Sequence, residues 1–202
     1  MKRNEYSAGA VKFSFWFMEF RKVVQLMDKG MALKEIEAKN KEENIFGAPT
    51  DVRSRQIFGK VKKRIESLDS SFVPIFVDSD APTQKMFCLA ATLADDTLFF
   101  DFVYEVIREK LTIGSNELTD ADIRIFFKNK AEQDEKVAGF YDNTLVRLGR
   151  SYKTMLFEAG LIDDNNFSDT RKILKPILDP MLRNYLMDFG YEPIAKALEG
   201  IR

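Results

Sequence analysis

Histidine is absent from the 202-residue sequence. This side chain is the usual general base near neutral pH, the commonest zinc ligand and the base of Ser-His and Cys-His nucleophile pairs. The sequence also has no glycine-rich phosphate loop, and its adjacent aspartate pairs have no third ligand spaced for a metal. We therefore expect a protein that is not an enzyme and that needs no metal ion and no cofactor.

Cysteine is almost absent as well, because Cys88 is the only one. A single cysteine forms no internal disulfide, which fits a reducing compartment. Its neighbours Phe87, Leu89 and Ala90 are apolar, so we expect a buried and unreactive thiol.

A long apolar run is the third absence. The most apolar stretch, from Phe13 to Met27, is interrupted by Glu19, Arg21 and Lys22, whereas a membrane-spanning helix needs about 20 apolar residues. The N-terminal residues also lack the pattern of a secretory signal. We therefore predict a cytoplasmic protein without membrane contact.

Helical periodicity is what the sequence has instead. Apolar residues make up 45% of the chain and recur at steps of three and four, which predicts a mainly helical, all-α fold. Gly30, Gly114 and Gly160 interrupt the pattern where helices are expected to end. We predict helices over 14–29, 32–43, 51–68, 82–94, 97–110, 119–131 and 143–159, and a short helix after Pro193.

The stretch from Ser70 to Pro82 is the best candidate boundary, a connector with a short extended piece. Residues 1–67 carry 15 basic and 9 acidic side chains, whereas residues 68–202 carry 16 and 23. We predict two small helical subdomains: a basic three-helix module over 1–70, a connector over 71–82, and a helical domain over 83–202. Whether Leu161–Ile162 pairs with Ile173–Leu174 as a short β-hairpin stays open; such a hairpin would make residues 143–175 resemble a winged helix.

A basic helix is the strongest functional signal. The segment from 53 to 64 has six cations and no acid, and on a helix they form two lines beside an apolar stripe, with Lys63 between them. Lys and Arg contacts to phosphates are the main source of nucleic-acid affinity. We favour DNA contact over the alternatives, a surface for a partner protein and an ordinary solvated face. The six cations are Arg53, Arg55, Lys60, Lys62, Lys63 and Arg64.

A smaller basic patch lies in the predicted helix 143–159. Its cations are Arg147, Arg150 and Lys153, and no acid occurs between 143 and 157. Taken alone, these are most simply ordinary surface positions. We include them in the candidate DNA-binding set because a hairpin would place further cations beside them: Arg171, Lys172 and Lys175.

Aromatic residues are concentrated where the first helix begins. Most of them share one helix face, so we interpret them as core packing rather than as a platform for stacked bases. They are Phe13, Phe15, Trp16, Phe17 and Phe20.

An ordered set of short motifs resembles the BrxA family. In the first part of the chain these are Tyr6–Gly9, Glu19, Arg21–Val24, Gly30, Glu35–Ile36, Glu43–Phe46 and Arg53–Arg55. The later stretch from 145 to 162, which ends in Glu-Ala-Gly-Leu-Ile, is similar too. The resemblance covers nearly the whole length, and it rests on the order of the set because no single motif is specific.

BrxA proteins belong to BREX (bacteriophage exclusion) systems, in which a DNA methyltransferase and several partners mark self DNA and restrict phage. The resemblance implies a small, helical, two-part accessory protein that binds double-stranded DNA and has no enzymatic activity. It does not identify the contact residues, which we infer from charge. The alternatives are a protein-interaction module that recruits or regulates other BREX proteins, the methyltransferase included, and a compact RNA-binding domain.

Overall fold

The first third of the chain folds into three helices. The computed structural model describes residues 2–163 and 169–201. An extended N-terminal segment and a 3₁₀ turn at Gly9–Val11 precede α1 (Phe17–Asp28), α2 (Leu33–Glu43) and α3 (Asp51–Glu66). Gly30 follows α1 with a positive φ of 88°, and the Thr50 hydroxyl caps α3 by accepting from the Arg53 amide at 3.1 Å. The mainly helical fold predicted from periodicity is confirmed.

A fourth helix, α4 (Phe72–Asp78), occupies most of the predicted connector. The extended piece expected there is wrong. Phe72 and Phe76 are completely buried, and both rings contact the ring of Phe87. Both rings also contact the ring of Phe20 in α1. Burial against other helices stabilises a segment too short to be helical alone, and a linear pattern does not show that burial. A domain boundary at this place stays a prediction.

The central helix is α5 (Ala81–Asp95), in which every residue from Met86 to Ala94 is buried. It packs against α1, α3 and α4 and also against two later helices, α10 (Asp142–Ala159) and α12 (Glu192–Glu199). A helix that is apolar on all sides belongs in a core. Cys88 lies here, and burial raises the pKa of its thiol to about 12. The predicted burial of the cysteine is confirmed, and its low reactivity stays a prediction.

The next helices carry the second basic patch. One continuous helix consists of α6 (Thr97–Phe102), a π turn (Val103–Ile107) and α7 (Arg108–Thr112). It is followed by α8 (Asp120–Gln133), α9 (Glu135–Ala138) and α10 (Asp142–Ala159). Thr119 and Asp122 form a capping box at the start of α8. Gly160 ends α10 with a φ of 85°.

A small antiparallel sheet lies beside α8 and α10. It consists of β1 (Glu117–Thr119) and β2 (Thr170–Lys172). Ile162 bridges Ile173, and the Leu174 amide donates to the Leu161 carbonyl oxygen at 2.8 Å. The hairpin pairing that the sequence left open is therefore present, with β1 as an additional strand on the other side of β2. Residues 164–168 lie outside the described residues.

The chain ends in α11 (Pro180–Asp188) and α12 (Glu192–Glu199). The sequence did not predict α11, because Pro176 and Pro180 read as interruptions. In the structure Pro180 opens the helix after the cap Asp179, whose Oδ1 accepts from the Met181 amide at 2.8 Å. Within residues 2–163 and 169–201, no helix has the length and apolar character needed to cross a membrane.

Candidate nucleic-acid interface

Three cations of α3 face the interior. Arg53, Lys60 and Arg64, which helical spacing places on one line, all contact the segment from Phe13 to Trp16. This segment leads into α1 through Trp16, whose φ of 53° is left-handed. These three cations, which belong to the candidate DNA-binding set, therefore stabilise the segment that leads into α1.

Arg64 is completely buried. Its Nη1 donates to the Phe15 carbonyl oxygen at 2.5 Å, and its Nη2 donates to the Ser14 carbonyl oxygen at 3.0 Å. Burial lowers the pKa of the guanidinium, but an arginine stays charged at neutral pH. No carboxylate among the described residues forms an ion pair with it. The expectation that Arg64 projects from the exposed face of the basic helix is wrong, because the side chain is part of the core.

Lys60 is also engaged within the fold. Its ammonium pairs with the Asp95 carboxylate at the end of α5 and lies 5.2 Å from the centroid of the Phe13 ring. The side chains of Lys60 and Asp95 are only 14% and 11% exposed. Arg53 is half-buried, and its guanidinium carbon lies 5.0 Å from the centroid of the Trp16 ring. These contacts use positive charge to hold α1, α3 and α5 together.

The other three cations of α3 lie on its outer side. The Lys62 ammonium is 3.1 Å from Glu37 Oε2 of α2, and this hydrogen bond raises the pKa of Lys62. Arg55 and Lys63 are exposed, and no carboxylate of the described residues pairs with either. Arg55 borders a hollow of about 320 Å³ between α2 and α3. Two further cations line this hollow: Lys34 and Lys41.

α10 presents an outward stripe of polar and basic side chains. Asn143, Arg147, Arg150 and Thr154 follow one another at steps of four and three residues, which places them on one face over about 16 Å. The first three are exposed. Among the described residues, no carboxylate forms an ion pair with Arg147 or Arg150. Two of the three cations predicted in this helix are therefore on the surface.

Lys153, the third of them, points away from this stripe. It is 8% exposed, and its ammonium lies 2.7 Å from Asp120 Oδ1. The buried guanidinium of Arg171 approaches the same carboxylate oxygen at 3.5 Å. The expected surface position of Lys153 is wrong, because it ties α10 to the start of α8. Lys172 and Lys175 are exposed.

α8 adds two exposed cations that sequence reasoning missed, Arg124 and Lys128. Their four-residue spacing on a predicted helix is visible in the sequence, but nothing there shows that they face α10. The two helices run antiparallel, with Asp120 beside Lys153 at one end. Where they cross, a Cβ on Gly149 would lie 2.8 Å from Ile123 Cγ2, so the close approach requires glycine.

A cleft of about 550 Å³ lies between α8 and α10. Its floor is apolar and is formed by Ile123, Phe127, Ala131, Leu145, Val146 and Gly149. The cations at its rim are Arg124, Lys128 and Arg150, with the Asp120–Lys153 pair at one end and Asp142 also in the lining. One side of α10 therefore carries the arginine stripe, and the adjoining side opens into an apolar cleft.

The aromatic residues before and within α1 are part of the core. Phe15, Trp16 and Phe20 are buried, and Phe13 and Phe17 pack partly buried against them. The interpretation as core packing is confirmed. Within the described ranges, no three Cys, Asp or Glu residues are grouped so that they would hold a metal ion.

The comparisons with known proteins agree on one family. The family model described as BrxA matches residues 4–190. The chain is 36% identical over 179 residues to a "BREX protein BrxA" of Bacillus cereus (strain H3081.97), over 89% of this chain and 88% of that protein. A protein of the same name from Escherichia coli O9:H4 (strain HS) is 20% identical over 160 residues, which are 79% of this chain and 73% of that protein.

A solved structure has a similar fold. The crystal structure of an uncharacterized protein from Magnetospirillum magneticum superposes with a TM-score of 0.80, over 98% of this chain and 100% of that one. At 18% sequence identity this likeness shows the fold alone. The family itself follows from the nearly full-length match and from the relative that is 36% identical. This chain belongs to the BrxA family.

Proposed function

We propose that the chain is an accessory protein of a BREX phage-defence system, that it binds double-stranded DNA in the cytoplasm, and that it performs no chemistry of its own. The family supports the context, because both relatives carry the name BREX protein BrxA. Other BREX proteins, including the methyltransferase, would then do the chemistry on the bound DNA.

The observation that carries the DNA-binding proposal is the exposed stripe of α10 together with the neighbouring cations of α8. Arg147 and Arg150 project from α10, and Arg124 and Lys128 project from α8, all without a carboxylate partner among the described residues. Unpaired surface cations are available to neutralise phosphates, which is the main source of DNA affinity. Arginine and asparagine also recognise guanine and adenine edges in the major groove, which admits one helix.

The elements around α10 support the same assignment. α8, α9 and α10 are followed by the pairing of Ile162 with Ile173, and β2 pairs on its other side with β1, the strand before α8. We interpret residues 117–175 as winged-helix-like, with α10 as the helix that enters the major groove. Lys172 and Lys175 would then lie beside the phosphate backbone.

The outward cations of α3 form a second proposed contact. Arg55 and Lys63 are exposed, whereas Arg53 lies half-buried against Trp16 on the inner side of the helix. Lys62 shares its charge with Glu37. Since Lys60 and Arg64 are engaged inside the fold, we assign α3 the smaller share of the binding free energy.

Fluorescence anisotropy with a labelled DNA duplex, at low and at physiological salt, tests the proposal. Phosphate contacts release counterions, so we expect the affinity to fall steeply as salt rises. Arg147→Glu should weaken binding strongly, whereas Lys29→Glu makes the same charge change at an exposed position just after α1 and should weaken it much less. Unlabelled RNA and DNA duplexes of equal length, used as competitors, establish which nucleic acid is preferred.

Three results would contradict the proposal. They are an absence of binding at low salt, an equal loss of affinity in the two variants, and a clear preference for RNA over DNA.

A further inference from the structure

We propose that the cleft between α8 and α10 is a docking groove for an acidic amphipathic helix of a partner protein. The apolar floor of the groove is not part of the surface proposed for DNA, and the existence of the groove does not depend on DNA binding. The three cations at its rim, Arg124, Lys128 and Arg150, belong to both surfaces.

The shape of the cleft fits a helix. Each wall is one face of a helix, with lining residues at steps of three and four from 120 to 131 in α8 and from 142 to 153 in α10. Eleven residue steps correspond to about 16 Å, or about three helical turns. A third helix lying along two antiparallel helices would cover the groove over this length. Recognition of a helix in a groove commonly takes this form.

The apolar floor of the groove favours a partner helix with apolar side chains on one face. Val146 is 53% exposed although it is apolar, and Leu145 and Ala131 beside it are half-buried. Phe127 and Ile123 form the buried base. Apolar residues at steps of three, four and seven on one face of a partner helix would remove this surface from water. Duplex DNA offers mainly phosphates and polar base edges, so we favour a protein helix as the occupant.

The charges at the rim of the groove indicate which charge the partner helix carries. Arg124 and Lys128 line the α8 edge and Arg150 lines the α10 edge, and none has a carboxylate partner among the described residues. The remaining cation, Lys153, is already paired with Asp120. A helix with Glu or Asp beside its apolar stripe would complement the three unpaired cations, whereas a basic helix would be repelled.

The three shared cations have a regulatory consequence, which rests on the proposed DNA binding. Each would contact either a phosphate of DNA or a carboxylate of the partner helix. Partner and DNA would then compete, so that docking of the helix weakens DNA binding and DNA weakens docking by the same factor.

Three fluorescein-labelled peptides of equal length, with blocked termini, serve as probes for the groove. The first has leucines on one helix face with Glu beside them, the second has the same leucines with Lys, and the third is a scrambled form of the first without an apolar face. Anisotropy should show that the first binds at least about tenfold more tightly than the other two.

A matched pair of single variants and one double variant locate the site. Val146→Asp should abolish binding of the acidic peptide, whereas Val52→Asp, at a valine of α3 with similar exposure (57% against 53%), should leave it unchanged. The double variant Arg124→Glu/Lys128→Glu should weaken the acidic peptide and strengthen the basic one. Urea unfolding of every variant shows whether it is folded.

The remaining outcomes overturn the proposal. Equal affinity for the three peptides would exclude a groove that is specific for an acidic amphipathic helix. An equal loss of peptide affinity in Val146→Asp and Val52→Asp would exclude it as well. Self-association that Val146→Asp abolishes would make a second copy of the chain the occupant. Loss of DNA binding in Val146→Asp, without any peptide binding by the wild-type chain, would make DNA the occupant.

Discussion

α3 and α10 carry the two basic patches of the sequence, and they differ in how many of their cations are buried or paired in the structure. Both lack acids over more than a dozen residues. In α3, Arg64 is buried and Lys60 and Lys62 have carboxylate partners. In α10, only Lys153 is enclosed, and two arginines remain on the surface beside two further cations of α8. Each helix is therefore left with two exposed cations that have no carboxylate partner among the described residues, although α3 has twice as many cations in sequence.

The difference arises from partners that are distant in sequence. Glu37 reaches Lys62 from α2, Asp95 reaches Lys60 from α5, and the carbonyl oxygens of residues 14 and 15 receive Arg64. A helix that is acid-free in sequence is neutralised by neighbouring helices. Counting charges along one segment consequently overestimates the charge available to a ligand.

The largest expected effect is on stability, at the buried end of α3. Arg64→Ala removes two charge-assisted hydrogen bonds, one to the carbonyl oxygen of the buried Phe15 and one to that of the exposed Ser14. We expect a loss of about 3 kcal/mol or more in the free energy of unfolding, measured by urea titration. The adjacent exposed Lys63→Ala should change it by less than about 0.5 kcal/mol. Equal stabilities of the two variants would contradict the buried role of Arg64.

The second prediction compares the two helices directly in DNA binding. Arg147→Glu/Arg150→Glu and Arg55→Glu/Lys63→Glu make the same charge change on exposed positions. We expect the α10 variant to lose about tenfold more affinity, which corresponds to about 1.4 kcal/mol. The slope of its log affinity against log salt should fall by about 2, because two phosphate contacts are lost. A larger loss in the α3 variant would reverse the assignment.

The third prediction concerns the enclosed lysine of α10. Lys153→Met leaves Asp120 with one cation instead of two, since Arg171 still approaches it. A cost of about 1 kcal/mol in unfolding free energy is expected for a largely buried pair with an exposed side. DNA affinity should stay unchanged, because the ammonium of this largely buried side chain is already paired with Asp120. A DNA affinity reduced as much as in Arg150→Met would show that Lys153 contacts DNA.

The smallest effect is expected at the exposed pair of α3. Lys62→Gln breaks the contact with Glu37, but both side chains are accessible to water and salt, so the melting temperature should not change measurably. In DNA binding, Lys62→Gln should cost less than Lys63→Gln, since Glu37 already compensates the charge of Lys62. Thermal melts and anisotropy on the two variants measure this difference.

Local signals predict much of the fold. Helical spacing predicts α1, α2, α3, α5, α8 and α10, and the Thr119–Asp122 capping box marks the start of α8. The signals fail for α4 and α11, where prolines read as interruptions. In both helices the proline lies in the first turn, where its missing amide hydrogen is not needed. Burial of Phe72 and Phe76 then holds α4 in place.

The sequence also predicts only part of the candidate site. The sequence alone identifies Arg147 and Arg150 as cations of an acid-free helix, and their exposure depends only on which face of that helix is apolar. It does not show that Arg124 and Lys128 stand opposite, because their position follows from the antiparallel contact of α8 and α10 at Gly149.

The sequence by itself determined that this chain is helical, that it lacks histidine, and where its basic residues are concentrated, because periodicity and composition are local properties. Only the tertiary structure decided which cations remain available. A charge is exposed or neutralised according to the groups that folding brings beside it. For Arg64 these are carbonyl oxygens about fifty residues away in the chain, and for Arg147 the described residues provide no carboxylate.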